Sequence, residues 1–177
     1  MISLLPIDLP DGHPWLRVAD QTWDDPLDPS FAQHRGGRWN PPDSFPVLYL
    51  NEDLPTARAQ IERMLSGYPV EADDLDPPFV MITVSLPRNQ TVPDAVTNAG
   101  LIRLGLPSTY PVAGGKPVPH TRCRKVGAAV RIADLRGVRA RSAATRDGSG
   151  VELAWFPARK TSKAHRVAPD RAFNEWW

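Results

Sequence analysis

The order of apolar and polar positions predicts several elements. Phe45 to Leu50 (FPVLYL) is a short apolar run between Pro42-Asp43 and Asn51-Glu52-Asp53, the pattern of a buried strand. Pro55 to Gly67 carries Ala57, Ile61, Met64 and Leu65 at helical spacing, with acidic residues before it and Gly67 after it, which reads as an amphipathic helix. Phe79 to Leu86 (FVMITVSL) places Val80, Ile82, Val84 and Leu86 on one face of a half-buried strand that Pro87 ends. Lys125 to Leu135 reads as a helix with Val126, Ala129, Val130 and Ala133 on one side and Gly137 as its stop. Val138 to Ala143 and Val151 to Phe156 read as a hairpin about Arg146-Asp147-Gly148-Ser149-Gly150. Two stretches lack a period. Trp15 to Trp39 is rich in Asp and Pro and reads as irregular structure leading to a Gly36-Gly37 turn, and Gly100 to Pro119 reads as a long loop.

No repeat and no linker divides the chain, so residues 1–177 are expected to form one domain of α/β (α+β) class. With 41% hydrophobic and 23% charged residues, the composition suits an ordinary globular core. Twenty prolines put many residues in turns and element ends. The formal charge of +1 supplies no global pull towards nucleic acid or an anionic membrane, so phosphate recognition has to be local and no direct nucleic-acid binding is expected. Cys123 stands alone, and with His120 it makes a weak case for zinc, so no metal is expected. The start lacks a basic flank, and no stretch approaches the roughly 20 apolar residues of a membrane span. A cytoplasmic location is the expectation.

The chemistry concentrates in His34-Arg35-Gly36-Gly37-Arg38-Trp39-Asn40-Pro41-Pro42. Adjacent glycines permit positive φ and close approach to a ligand, and Arg38 offers a planar fork of donors suited to a pyrophosphate. The same string also serves as a plain turn with a surface arginine. This GGRWNPP string, with Val47-Leu48-Tyr49-Leu50 and the helix after it, resembles the signature of the RES family, named for Arg, Glu and Ser. The resemblance covers most of the chain and implies an ADP-ribosyltransferase-like fold, with split β-sheets, flanking helices and a cleft for NAD. It implies a toxin that cuts NAD at the nicotinamide-ribose bond or transfers ADP-ribose, paired with an Xre-type antitoxin that covers the cleft.

The resemblance also implies residue roles. Arg17 and Arg38 would contact phosphate or ribose beside Gly37, and Tyr49 would stack on nicotinamide. Arg38 and Tyr49 are then expected to face one cleft. Where the family usually has an aromatic after the arginine, this chain has Val18. Eleven residues after Tyr49, where the family's catalytic glutamate should stand, there is Gln60, expected to be partly buried beside the apolar stripe of its helix. Glutamine keeps hydrogen bonding and loses the charge that would stabilise a developing ribose cation. Glu152 on the late strand is a possible substitute acid, whereas Glu62 lies about 200° around the helix and reads as a partner for Arg58. For the family's serine the segment before Cys123 favours Thr121, which would double as a helix N-cap, with Ser142 as the second candidate. The departures at Val18 and Gln60 leave a second reading open, a catalytically silent module that keeps the fold and binds a partner protein.

Overall fold

The computed structural model describes residues 2–76, 78–157 and 164–177. Its strands are β1 (Pro6–Asp8), β2 (Trp15–Asp20), β3 (Leu48–Asn51), β4 (Phe79–Ser85), β5 (Thr91–Ala95), β6 (Val112–Ala113), β7 (Lys116–Pro117), β8 (Gly137–Arg141), β9 (Val151–Trp155) and β10 (His165–Arg166). Its helices are α1 (Ser30–Arg35), α2 (Leu54–Leu65), α3 (Asn98–Arg103), α4 (His120–Ile132) and α5 (Phe173–Trp176). Eight strands join in the order β1-β5-β8-β9-β3-β2-β4-β10, and β6 with β7 forms a separate ribbon. This is a mixed α/β fold with one large sheet and flanking helices.

The sheet narrows at one place. β2 and β4 share six register pairs, from Trp15↔Val84 to Asp20↔Phe79, while β2 and β3 share only Leu16↔Asn51. The strands therefore form two sets, β1-β5-β8-β9-β3 and β2-β4-β10, that part beyond this pair. β5 and β8 are parallel, which obliges a crossover, and α3, the β6–β7 ribbon and α4 supply it.

Helix α2 forms where the periodicity predicts it. Asp53 caps it by accepting from Thr56 N at 2.8 Å, and Ala57 and Ile61 bury against Leu16, Met81 and Trp176. α4 covers the sheet's other set: Cys123, Val126 and Val130 pack with Trp39, Val138, Ala140 and Ala154. On the opposite face Leu48, Leu50, Leu153 and Trp155 meet Trp15, Ile82 and Val84.

Three expectations need correction. Trp15 to Trp39 is not irregular throughout, because it contains β2 and α1. Trp15, Leu16 and Ala19 are all buried, so β2 has no alternation for a pattern search to find. The stretch from Gly100 to Pro119 holds most of α3 and the β6–β7 ribbon. Gly100 does not break α3; a Cβ there would lie 2.1 Å from Asp94 O, so the glycine lets the helix approach β5, and Thr97 caps the helix by accepting from Gly100 N. Finally, α4 begins at His120 with Pro119 as its N-cap residue, so Thr121 lies inside the helix and does not cap it.

Gly127 sets the spacing between α4 and Trp39, since a Cβ there would stand 1.7 Å from the Trp39 carbonyl oxygen. Gly127→Ala gains about 1 kcal/mol of helix propensity. It must also push a helix away from a buried backbone, an overpacking cost of up to about 3 kcal/mol. The expected net loss of about 2 kcal/mol lowers the thermal midpoint by roughly 4–8 °C. A midpoint equal to or above the wild type in a melting experiment would show that the contact is soft.

Candidate active site

The Gly-Gly-Arg-Trp-Asn string is the mount for Tyr49. Tyr49 points from β3 into the underside of this loop, where its hydroxyl accepts from Trp39 N at 3.1 Å and donates to Asn40 Oδ1 at 3.2 Å. Asn40, fully buried, donates through Nδ2 to Ala32 O at 2.6 Å and Phe45 O at 3.2 Å. Gly37 has no side chain because a Cβ would meet the Tyr49 hydroxyl at 2.2 Å, and Arg124 of α4 donates to the Gly37 carbonyl at 2.9 Å. Gly36 turns the chain at φ +69° against the Pro42 ring. Burial pushes the Tyr49 phenol well above its ordinary pKa, so its hydroxyl stays protonated and offers hydrogen bonds, not base chemistry.

Beside this mount lies a cleft of about 510 Å³ whose lining includes Arg17, Tyr49, Gln60, Trp23, Phe31 and Met64. Arg17 spans the narrow part of the sheet. Its Nη1 donates to Tyr49 O at 3.0 Å, its Nε donates to Pro26 O, and its guanidinium sits 5.8 Å from the Trp23 ring centre. Burial lowers its pKa to about 10 against the opposing pull of Asp25 and Asp28, which still leaves a cation at neutral pH. Val18 lines the same cleft. Gln60 is exposed to it, not partly buried as its place beside the apolar stripe suggested, because α2 turns the Ala57–Ile61 side inward and leaves Gln60 at the rim. Its Oε1 accepts from Nδ2 of the buried Asn51 at 3.0 Å.

A second polar group lies on the neighbouring strands. Ser142 is buried just after β8; its hydroxyl donates to Glu152 Oε2 at 3.2 Å and accepts from Ala144 N at 3.2 Å. Trp39 Nε1 donates to Glu152 Oε1 at 3.3 Å. Enclosure raises the Glu152 pKa above the ordinary carboxylate value, opposed by the Trp39 hydrogen bond, the Arg38 charge, the Ser142 hydrogen bond and the Arg63 charge. Arg63 of α2 donates to Ala143 O, tying the helix to the turn after Ser142.

The sequence-based candidates thus fall into three places. Arg17, Tyr49 and Gln60 share the cleft. Arg38 does not line it: Arg38 turns towards α4 and donates to Val118 O at 3.2 Å, close enough to Tyr49 and Glu152 to act on their charges. Thr121 is exposed on α4, outside both groups, so the hydroxyl joined to the cluster belongs to Ser142. Glu62 is exposed and does not meet Arg58, which donates twice to the Trp176 carbonyl, at 3.0 and 2.7 Å. Sequence reasoning missed Asn40 and Asn51. The available signal was a polar residue closing an apolar run, since a buried amide must be there for its hydrogen bonds.

Among the described residues, no group of three or more His, Cys, Asp or Glu side chains is placed to hold a metal, and no helix is long and apolar enough to cross a membrane. No curated protein matches the chain. Its fold is similar to that of a chain in the crystal structure of the M. tuberculosis MbcT-MbcA toxin-antitoxin complex, with a TM-score of 0.73 and 20% identity over 97% of this chain and 91% of that one. At that identity the likeness speaks for the fold. The sequence itself matches the RES domain over residues 13–176, which is nearly its full length, and the chain therefore belongs to the RES domain family.

Proposed function

We propose that this protein binds NAD in the Arg17–Tyr49–Gln60 cleft and breaks the bond between nicotinamide and ribose, slowly. The observation that carries the reading is convergence: Arg17 on β2, Tyr49 on β3 and Gln60 on α2 come together at one cavity although 43 positions separate the first from the last. The Tyr49 ring offers a fixed face for the nicotinamide, and Arg17 offers a cation for the pyrophosphate. As the C1′–N bond breaks, its electron pair leaves with nicotinamide and positive charge collects on the ribose. A nucleophile, whether water, phosphate or a protein side chain, then takes the ribose carbon. Gln60 brings an amide to the cleft, with its Oε1 engaged by Asn51, and no charge, which limits the stabilisation of that cation. Arg38, Gly37 and the Ser142–Glu152 pair act from behind, by holding Tyr49 and setting the local field; Thr121 has no part.

The solved neighbour is a toxin-antitoxin complex. We extend that partnership to this chain as a toxin whose antitoxin, of Xre type, covers the cleft. A second reading rests on Gln60 and Val18, both of which line the cleft: a silent RES fold that binds NAD or a partner without chemistry.

Purified protein incubated with NAD is expected to release nicotinamide at a low rate. Gln60→Glu should raise that rate on the order of 10²- to 10³-fold. NAD affinity should change less, because the charge matters most in the transition state. The mount is already suited to the change, as Asn51 Nδ2 donates to position 60 and a carboxylate oxygen accepts equally well. NAD binding with no release from either protein establishes the silent module instead. A Gln60→Glu rate equal to the wild type, together with loss of activity in Glu152→Gln, moves the acid to Glu152.

Glu152 also generates a pH prediction. Its folded pKa lies above the ordinary value, so the folded state holds a proton more tightly than the unfolded chain. The stability this supplies is full below the ordinary carboxylate pKa and is lost as pH rises through the raised one. Glu152→Gln stays neutral at every pH, so its melting curve should run near the wild type's at low pH, and the wild type should fall below it as pH climbs through that window. Parallel curves at all pH values would contradict the raised pKa.

A further inference from the structure

Past Arg17 the cleft continues into a second cavity of about 570 Å³, and the two share Arg17, Trp23, Asp28 and Phe31 as a common wall. Tyr49 and Gln60 line only the first; Asp24, His34 and Arg35 line only the second. We propose that the adenosine half of the dinucleotide occupies this second cavity, with its base stacked on Trp23 and Phe31. The assignment rests on the NAD reading above and extends it to the other end of the ligand.

The order of groups along the cavities is that of the ligand. Tyr49 provides the face for nicotinamide in the first space, and Arg17 and the aromatic pair form the wall between it and the second, so the cation and the rings both border the second space. Trp23 is 43% exposed and Phe31 64% exposed, and their ring centres are 6.4 Å apart with planes inclined by 26°. That separation is near the upper limit for an aromatic pair, so the rings leave stacking surface unused. Two large exposed rings side by side at a cavity wall mark a binding surface more than a packing remainder. Arg17 lies 5.8 Å from the Trp23 centre and Arg35 lies 5.8 Å from the Phe31 centre, so both rings are braced by planar cations. Asp24 adds an exposed carboxylate, the group that suits a ribose diol. Asp25 and Asp28 are engaged in the loop itself, accepting from Leu27 N at 3.0 Å and Ser30 N at 2.9 Å.

Stacking of one base on an aromatic side chain contributes about 1–3 kcal/mol, or roughly a 5- to 150-fold change in affinity. Calorimetric titration with two ligands separates the ends of the site without requiring turnover. ADP-ribose carries the adenosine; nicotinamide mononucleotide carries the scissile bond and no adenosine. Trp23→Ala and Phe31→Ala should each weaken ADP-ribose by about 5-fold or more, weaken nicotinamide mononucleotide by a clearly smaller factor because both rings also border its cavity, and be rescued by Trp23→Phe and Phe31→Tyr, which retain a ring. Equal loss for both ligands, or no loss for either, overturns the aromatic platform. Wild-type protein that binds nicotinamide mononucleotide, but binds ADP-ribose no better than ribose 5-phosphate, leaves the nicotinamide cleft standing and removes the adenosine site. Protein that binds neither ligand removes the NAD reading, and this proposal with it.

Discussion

The hydroxyl of Tyr49 is the point on which the site is built. It accepts from the Trp39 amide and donates to Asn40, and Asn40 in turn holds the carbonyls of Ala32 and Phe45, so one phenol fixes both ends of the loop between α1 and β3. An enclosed hydroxyl with both functions satisfied costs little, whereas either partner left alone would cost about 1–3 kcal/mol. The absence of a side chain at Gly37 and at Gly127 follows from the same arrangement: one makes room for the phenol, the other for the Trp39 carbonyl. With the hydroxyl held, the side chain cannot swing out of its place, and the ring becomes a fixed wall of the cleft.

A fixed wall is useful only if the opposite side is placed equally well, and here the narrow part of the sheet matters. β2 and β3 share one register pair and then part, so the backbone at Tyr49 offers a carbonyl that no neighbouring strand takes up in that register. Arg17 takes it, and reaches the Pro26 carbonyl as well. The cation thus replaces ladder hydrogen bonds where the strands diverge, and the divergence is what opens the cavity. Closing the sheet with further strand pairing would satisfy the same carbonyl and leave no cleft. The same guanidinium braces the Trp23 ring, so the loop after β2 is organised by the residue that lines the cleft.

Legibility in the sequence followed one rule. α2, with one buried and one open face, was readable because burial on one side leaves a period in the residues, whereas β4 was readable only as an apolar run, since Met81 and Ile82 bury towards opposite clusters. β2 was not, since Trp15 and Leu16 bury towards opposite clusters and polarity no longer reports the face. Gly100 misled for a related reason: a glycine selected for close packing is indistinguishable, in one sequence, from a glycine selected to end a helix. The family resemblance pointed to Arg17, Tyr49 and Gln60, three residues that line one cavity. Its arginine at position 38 and the preference for Thr121 were less informative, because the direction of a long side chain and the start of a helix depend on contacts with α4 that local sequence does not encode.

Position 60 shows how little separates a cleft that binds from one that reacts. The backbone, the Asn51 donor and the exposure of the side chain would serve a carboxylate as well as an amide, since Asn51 presents a hydrogen and asks only for an oxygen. The amide differs by carrying two hydrogens of its own and no charge. In the ground state that difference is small: a bound dinucleotide needs a polar neighbour near its ribose, and either group qualifies. In the transition state of the proposed cleavage the ribose would become a cation, and a formal charge beside it would stabilise it more than a dipole. Under that proposal an amide in place of a carboxylate would act mainly on rate. On the proposed reading the chain would keep its shape and its affinity while its turnover was limited by one missing charge, and any acid that replaced it would have to reach the same ribose face. Glu152 is held by Trp39 and Ser142 in an enclosure that disfavours its charge, so it would first have to give up both hydrogen bonds.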